Sequence, residues 1–134
     1  MQRPRIVLAE DHAEVAEQLR ALLISEFDVV AVVADGQALL RAVEAARPDL
    51  VVTDIVMPGL DGIAAIAKLR TSHPDLPVVL VTVHEDPELV ERGHAAGALG
   101  YVFKHRAGQE LVTAVRAALR GERYVSRSAH DRRT

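Results

Sequence analysis

Five short apolar runs, separated by stretches with helical spacing, constrain this chain more than any other feature. Arg5 to Ala9, Val29 to Val33, Leu50 to Thr53, Val78 to Val81 and Leu99 to Phe103 are dominated by Val, Ile and Leu. Runs of that length and branching predict strands buried on both faces. Between them lie amphipathic segments: Val15, Leu19, Leu22 and Leu23; then Leu39, Val43 and Ala46, stopped by Pro48; then Ile63, Ile66, Ala67 and Arg70. Asp86, Pro87 and Glu88 predict the cap and first turn of a fourth helix that closes at Gly97. Leu111, Val112, Val115, Ala118 and Leu119 supply the last helix face. Strand and helix alternating five times predict an α/β fold, (βα)5 and flavodoxin-like, with a doubly wound parallel sheet. Right-handed crossovers give strand order 2-1-3-4-5 as the commonest solution.

That order places strand 1 beside strand 3 and turns every strand's carboxyl end to one edge, where open α/β sheets hold their ligands. Polar residues stand where the apolar runs end: Glu10 and Asp11, Asp54, Thr82 and Lys104. Any one of them alone reads as an ordinary cap or loop residue. Together they put three acids, a hydroxyl and an ammonium around one crevice. Two carboxylates about 5 Å apart at an effective dielectric near 20 repel by roughly 3 kcal/mol, so such a pocket invites a cation. Magnesium, with manganese as the substitute, suits an all-oxygen donor set that keeps several waters. Asp11 and Asp54 fit direct ligation, Glu10 fits contact through a bound water, and the main-chain carbonyl of Val56 completes the set. Cation and lysine beside a lone acceptor carboxylate suit phosphoryl transfer, which depends on positioning and charge neutralisation. The chain keeps lysine only at Lys68 and Lys104 and otherwise uses arginine. A compact ammonium is therefore wanted at Lys104 rather than a planar fork.

Composition narrows the alternatives. A chain of 134 residues with 49% hydrophobic content suits one domain with a real core. It has no cysteine, which removes disulfides and thiolate chemistry. The net charge of −3 gives no general attraction to DNA or anionic lipid, although Arg116, Arg120, Arg123, Arg127, Arg132 and Arg133 make the C-terminal end locally basic, as a solvated face. The longest apolar run is far shorter than the roughly 20 residues a membrane helix needs, and a cytoplasmic setting is expected. His12, His73, His84, His94, His105 and His130 show no paired helical ligand spacing. Surface roles are expected for all but His84, which should overhang the pocket.

These residues resemble the receiver domain of two-component response regulators over about Arg5 to Arg120. The resemblance is carried by Glu10 and Asp11, by Asp54 followed by Met57, Pro58 and Gly59, by Thr82, and by Lys104 with Tyr101 three residues before it. It implies that Asp54 takes a phosphoryl group from a sensor histidine kinase or phosphotransfer protein and that Lys104 binds that group. Thr82 then moves toward it while Tyr101 turns inward. It implies a phosphoacceptor switch rather than an enzyme, with at most slow self-dephosphorylation. Gly97 to Phe103, with Gly121 to Ser126, resembles the subclass joined to LuxR-type helix-turn-helix domains, which implies transcriptional output and a phosphorylation-dependent homodimer. Residues 1–123 are expected to form the receiver and 124–134 a polar tail or linker, with no DNA contact by this chain itself. A stand-alone receiver acting by protein contact is the alternative. Where many receivers have proline after the lysine this chain has His105, which leaves the Lys104–His105 peptide geometry open. A haloacid-dehalogenase-like phosphatase usually has a second aspartate where Val56 stands, and a flavodoxin-like carrier needs a phosphate-cradling loop in place of Glu10 and Asp11. A purely structural receiver relative would not need Asp54, Thr82 and Lys104 together.

Overall fold

The computed structural model describes residues 2–127. Five helices and six strands alternate: β1 (Arg5–Ala9), α1 (Ala13–Leu23), β2 (Asp28–Val33), α2 (Gly36–Ala46), β3 (Leu50–Thr53), α3 (Gly62–Ser72), β4 (Val78–Thr82), α4 (Pro87–Ala96), β5 (Gly100–Phe103), α5 (Ala107–Leu119) and β6 (Tyr124–Val125). A 3-10 turn over Lys104–Arg106 joins β5 to α5. The sheet is parallel throughout, in the order β2-β1-β3-β4-β5-β6.

Alternation along the strands divides the core into two halves. Ile6, Leu8, Leu50, Val52, Val79, Val81 and Val102 face α1 and α5, meeting Leu19, Leu23, Leu111 and Val115. Val7, Val51, Leu80, Tyr101 and Phe103 face the other way, toward Leu39 and Val43 of α2 and Ile66 and Leu69 of α3. All four residues of β3 are buried, as its central place requires. β2, at one edge, is half exposed.

Three local expectations are corrected. In α3 the buried side consists of Gly62, Ala65, Ile66 and Leu69, while Ala67 and Arg70 face out. Small residues inside this helix blur its periodicity, so the face is displaced from the one expected. Asp86 stands at the N-cap of α4 with Pro87 in the first turn, but its side chain makes no capping hydrogen bond. The third correction is at the C-terminal end. Tyr124 and Val125 add a sixth strand to β5, and Ser126 is buried. The expected boundary after residue 123 thus falls inside the folded unit. A two-residue strand is too short to display a period of two, which is why a polar tail was expected there. The rest of that tail, 128–134, including His130, Arg132 and Arg133, lies outside the described residues.

Candidate phosphoacceptor site

Sheet order brings the site together. Asp54 continues β3, its N–H donating to the carbonyl of Ala9 at 3.1 Å, so the acceptor carboxylate leaves the sheet beside the end of β1. Glu10 is fixed by its own N–H, which donates to the Val33 carbonyl at 2.9 Å. Thr82 is the last residue of β4, paired in register with Phe103, and Lys104 follows that residue directly. The loop after Asp54 is gripped by α3. Gly62 donates its N–H to the Ile55 carbonyl at 2.6 Å, and Asp61 caps the helix by accepting from Ala64 N–H at 2.8 Å.

Lys104 is the centre of the arrangement. Its Nζ donates to Asp54 Oδ2 at 2.8 Å and lies 2.7 Å from Glu10 Oε1, an ion pair that is not aligned as a hydrogen bond. The Glu10 side chain is fully buried and that of Asp54 nearly so. Asp54 Oδ1 accepts from the Ile55 N–H at 2.6 Å. Burial pushes the Glu10 carboxyl up, but the adjacent Lys104 ammonium and the His12 N–H and ring outweigh it, and the group sits below its usual range. For Lys104 burial works against the charge, yet Asp54 and Glu10 together hold the ammonium above its ordinary value.

His12 lies on the surface as expected, its side chain 70% exposed, yet its ring also reaches the acidic pair. Its Nδ1 lies 3.0 Å from Glu10 Oε2 and 3.4 Å from Asp11 Oδ1, and its N–H donates to Glu10 Oε2 at 3.0 Å. Glu10, Asp11 and His12 offer ligand atoms within 4.8 Å of one another. Adjacency to the acidic pair is the signal in the sequence, and it is one that paired helical ligand spacing does not register. Asp11 Oδ1 is buried and, among the described residues, has no hydrogen-bond partner. An orphaned acid oxygen in a carboxylate pocket fits a hard divalent cation.

Thr82 is fully buried, and its Oγ1 accepts from the His84 N–H at 3.2 Å. Tyr101 is also fully buried, turned inward, with its hydroxyl donating to the His84 carbonyl at 3.1 Å. Burial, with the charges of Asp86 and Asp54, pushes that phenol up to about 12. Val56 is 58% exposed and His84 half-buried. His105, stacked on Phe103, is 3.7 Å from Glu85 Oε2. Among the described residues no peptide bond is cis, so Lys104–His105 is trans.

Residues 6–116 match the model of the response regulator receiver domain. This chain belongs to that family. It is 37% identical over 124 residues to the response regulator GacA of Pseudomonas viridiflava, covering 91% of this chain and 58% of that protein. Among solved structures, the receiver of the putative response regulator NarL from Mycobacterium tuberculosis superposes with a TM-score of 0.86 at 30% identity, covering 91% of this chain and all of that one. A LuxR-family two-component response regulator from Aurantimonas sp. SI85-9A1 gives 0.86 at 35% identity, covering 92% and 89%. The fold of this receiver is the expected one, and its strand order extends the expected series by one. The chain spans little more than half the length of the curated relatives it matches.

Proposed function

We propose that Asp54 is the phosphoacceptor of this receiver and that Lys104, Thr82 and Tyr101 convert its phosphorylation into a change of surface. The observation that carries this reading is Lys104 Nζ, 2.8 Å from Asp54 and 2.7 Å from Glu10, the three residues following β5, β3 and β1 at one edge of the sheet. A carboxylate oxygen of Asp54 attacks phosphorus in a phosphohistidine of a sensor kinase or phosphotransfer protein. The P–N bond breaks, and the imidazole leaves with the bonding pair and takes up a proton. Asp11, Asp54, the main-chain carbonyl of Val56 and, through water, Glu10 would hold magnesium or manganese, which neutralises charge on the transferring group. Lys104 then exchanges its bond to the free carboxylate for one to the phosphoryl oxygens. Thr82 gives up the His84 N–H to reach the same group, which frees the loop that Tyr101 holds by the His84 carbonyl.

Asp54 is consumed stoichiometrically, so the chain is a switch rather than a turnover enzyme. Val56, in place of a second aspartate, leaves no proton carrier for phosphatase chemistry at that position. The relatives' greater length supports a role as the input half of a transcription regulator; a cytoplasmic setting and a phosphorylation-dependent homodimer as the active form are parts of the same proposal. Among the described residues no helix is long and apolar enough to cross a membrane. The test is phosphorylation by acetyl phosphate followed by peptide mapping. Label on the peptide that contains Asp54 is expected, and label on any other carboxylate contradicts the assignment.

A further inference from the structure

The family match ends at residue 116, yet the chain returns to the site ten residues later. Ser126 is 1% exposed. Its N–H donates to the Tyr101 carbonyl at 2.9 Å, continuing the ladder that Tyr124 N–H begins at the Leu99 carbonyl. Its Oγ accepts from the Phe103 N–H at 3.1 Å and donates to Glu110 Oε1 at 2.5 Å. Glu110 is held in turn by Arg106, whose Nε donates to the second oxygen at 2.5 Å. Burial pushes the Glu110 carboxyl up, but Ser126 and Arg106 outweigh it and keep it ionised.

β6 pairs only with Gly100 and Tyr101, so the last N–H of β5 lies past the end of the strand that should receive it. The serine oxygen stands where the missing backbone carbonyl would be. Glu110 fixes its orientation: by taking the hydroxyl proton, the carboxylate turns a lone pair toward Phe103. The residue after Phe103 is Lys104, and the Tyr101 bonded to Ser126 also holds the loop behind Thr82 through its hydroxyl. One buried serine therefore touches the backbone of Tyr101 and of the residue before Lys104.

We infer that Ser126, oriented by Glu110, is a positioning residue for Lys104, so that β6 is a working part of the phosphoacceptor site. The ammonium sits on a flexible stem, and where it can reach depends on the backbone at the end of β5, which this bond fixes. The inference rests on Asp54 being the acceptor. By linkage, a residue that positions Lys104 for the phosphoryl must itself be perturbed when that group binds.

The experiment uses beryllofluoride with magnesium as the phosphoryl mimic on the whole chain. In the wild type, amide exchange at Phe103 and Ser126 should change by about fivefold or more on binding. Ser126→Ala should raise the half-saturating beryllofluoride concentration by about fivefold, and Ser126→Thr, which keeps the hydroxyl, should restore it. Glu110→Gln should give an intermediate loss. A merely structural serine would lower thermal stability and leave mimic affinity unchanged. That result, or wild-type exchange at both amides unaltered by bound mimic, overturns the inference while leaving Asp54 as acceptor. Because the wild-type exchange needs no variant, the test stands even if Ser126→Ala does not fold. Wild-type protein that binds no mimic overturns the acceptor reading, and this inference with it.

Discussion

Lys104 is shared between two buried acids and offsets only one of their charges, and most of the behaviour expected at single positions follows from that. Lys104→Arg retains the charge but replaces a point donor by a planar fork, which cannot sit between Asp54 and Glu10 in the same place. Phosphorylation is expected to survive while the responses of Thr82 and Tyr101 fail. Amide spectra of the phosphorylated variant, unchanged at residues 82–86, would show this, and a wild-type response would refute it. The Glu10 carboxyl is depressed from its ordinary 4.5. A depressed acid stabilises the fold above its unfolded value, and that contribution is lost as pH falls through the folded value. Lys104, raised from 10.5, contributes below that value and loses its contribution as pH rises through the folded one. Thermal midpoints measured from about pH 3 to pH 6 should fall less steeply for Glu10→Gln than for the wild type.

The lifetime of the phosphorylated state belongs to the same scale. Hydrolysis needs a water in line with phosphorus, and on the proposed reading Val56, two residues after Asp54, and His84, two after Thr82, flank that approach with one apolar and one hydrogen-bonding side chain. Val56→Asn should speed decay by about fivefold, the effect of one added water hydrogen bond worth ~1 kcal/mol. His84→Ala should slow it. Decay after removal of donor, unchanged in both variants, would show that these side chains do not govern water access.

At the scale of elements, the site depends on how tightly α3 closes on the end of β3. A Cβ added at Gly62 would run into the Asp54 carbonyl and come within 2.9 Å of the Ile55 Cα, both backbone groups that cannot swing aside. Gly62→Ala is therefore expected to cost about 2–3 kcal/mol by overpacking, read as a lower unfolding midpoint. It should also weaken magnesium binding, because the same shift displaces Asp54; a drop in stability with unchanged metal affinity would contradict that link. Elements with strong local signals were legible in sequence. β1 and β3 have the expected bounds, and Glu10, Asp54 and Lys104 come within ion-pair distance because each directly follows the end of its strand. The face of α3 was not legible, since alanines and glycine give burial without hydrophobic contrast. His12 was missed because its role depends on the turn that folds its ring back over Glu10.

For the whole molecule, chain length and alternation were sufficient to indicate one doubly wound sheet with the site at its carboxyl edge. The sixth strand was not legible. Its stability comes from contacts distant in sequence, Tyr124 to Leu99 and Ser126 to Tyr101, Phe103 and Glu110, rather than from any property of the segment itself. The local basicity of the C-terminal end is consistent with a solvated face. Arg116 pairs with Glu26, Arg120 with Glu122, and Arg123 lies near Glu91, all on exposed surface. Exposed pairs of this kind are worth ~0–1 kcal/mol, so the fold rests on its two core halves, with Lys104 the charged link at the site. The central claim is that this acidic pocket accepts a phosphoryl group on Asp54 only when a divalent cation has neutralised it. Intact mass after incubation with acetyl phosphate tests it directly, for wild type and Asp54→Asn, with magnesium and with chelator. One phosphoryl group is predicted on the wild type with magnesium and none in the other three conditions, whereas equal labelling in chelator or in the Asn variant would contradict the account.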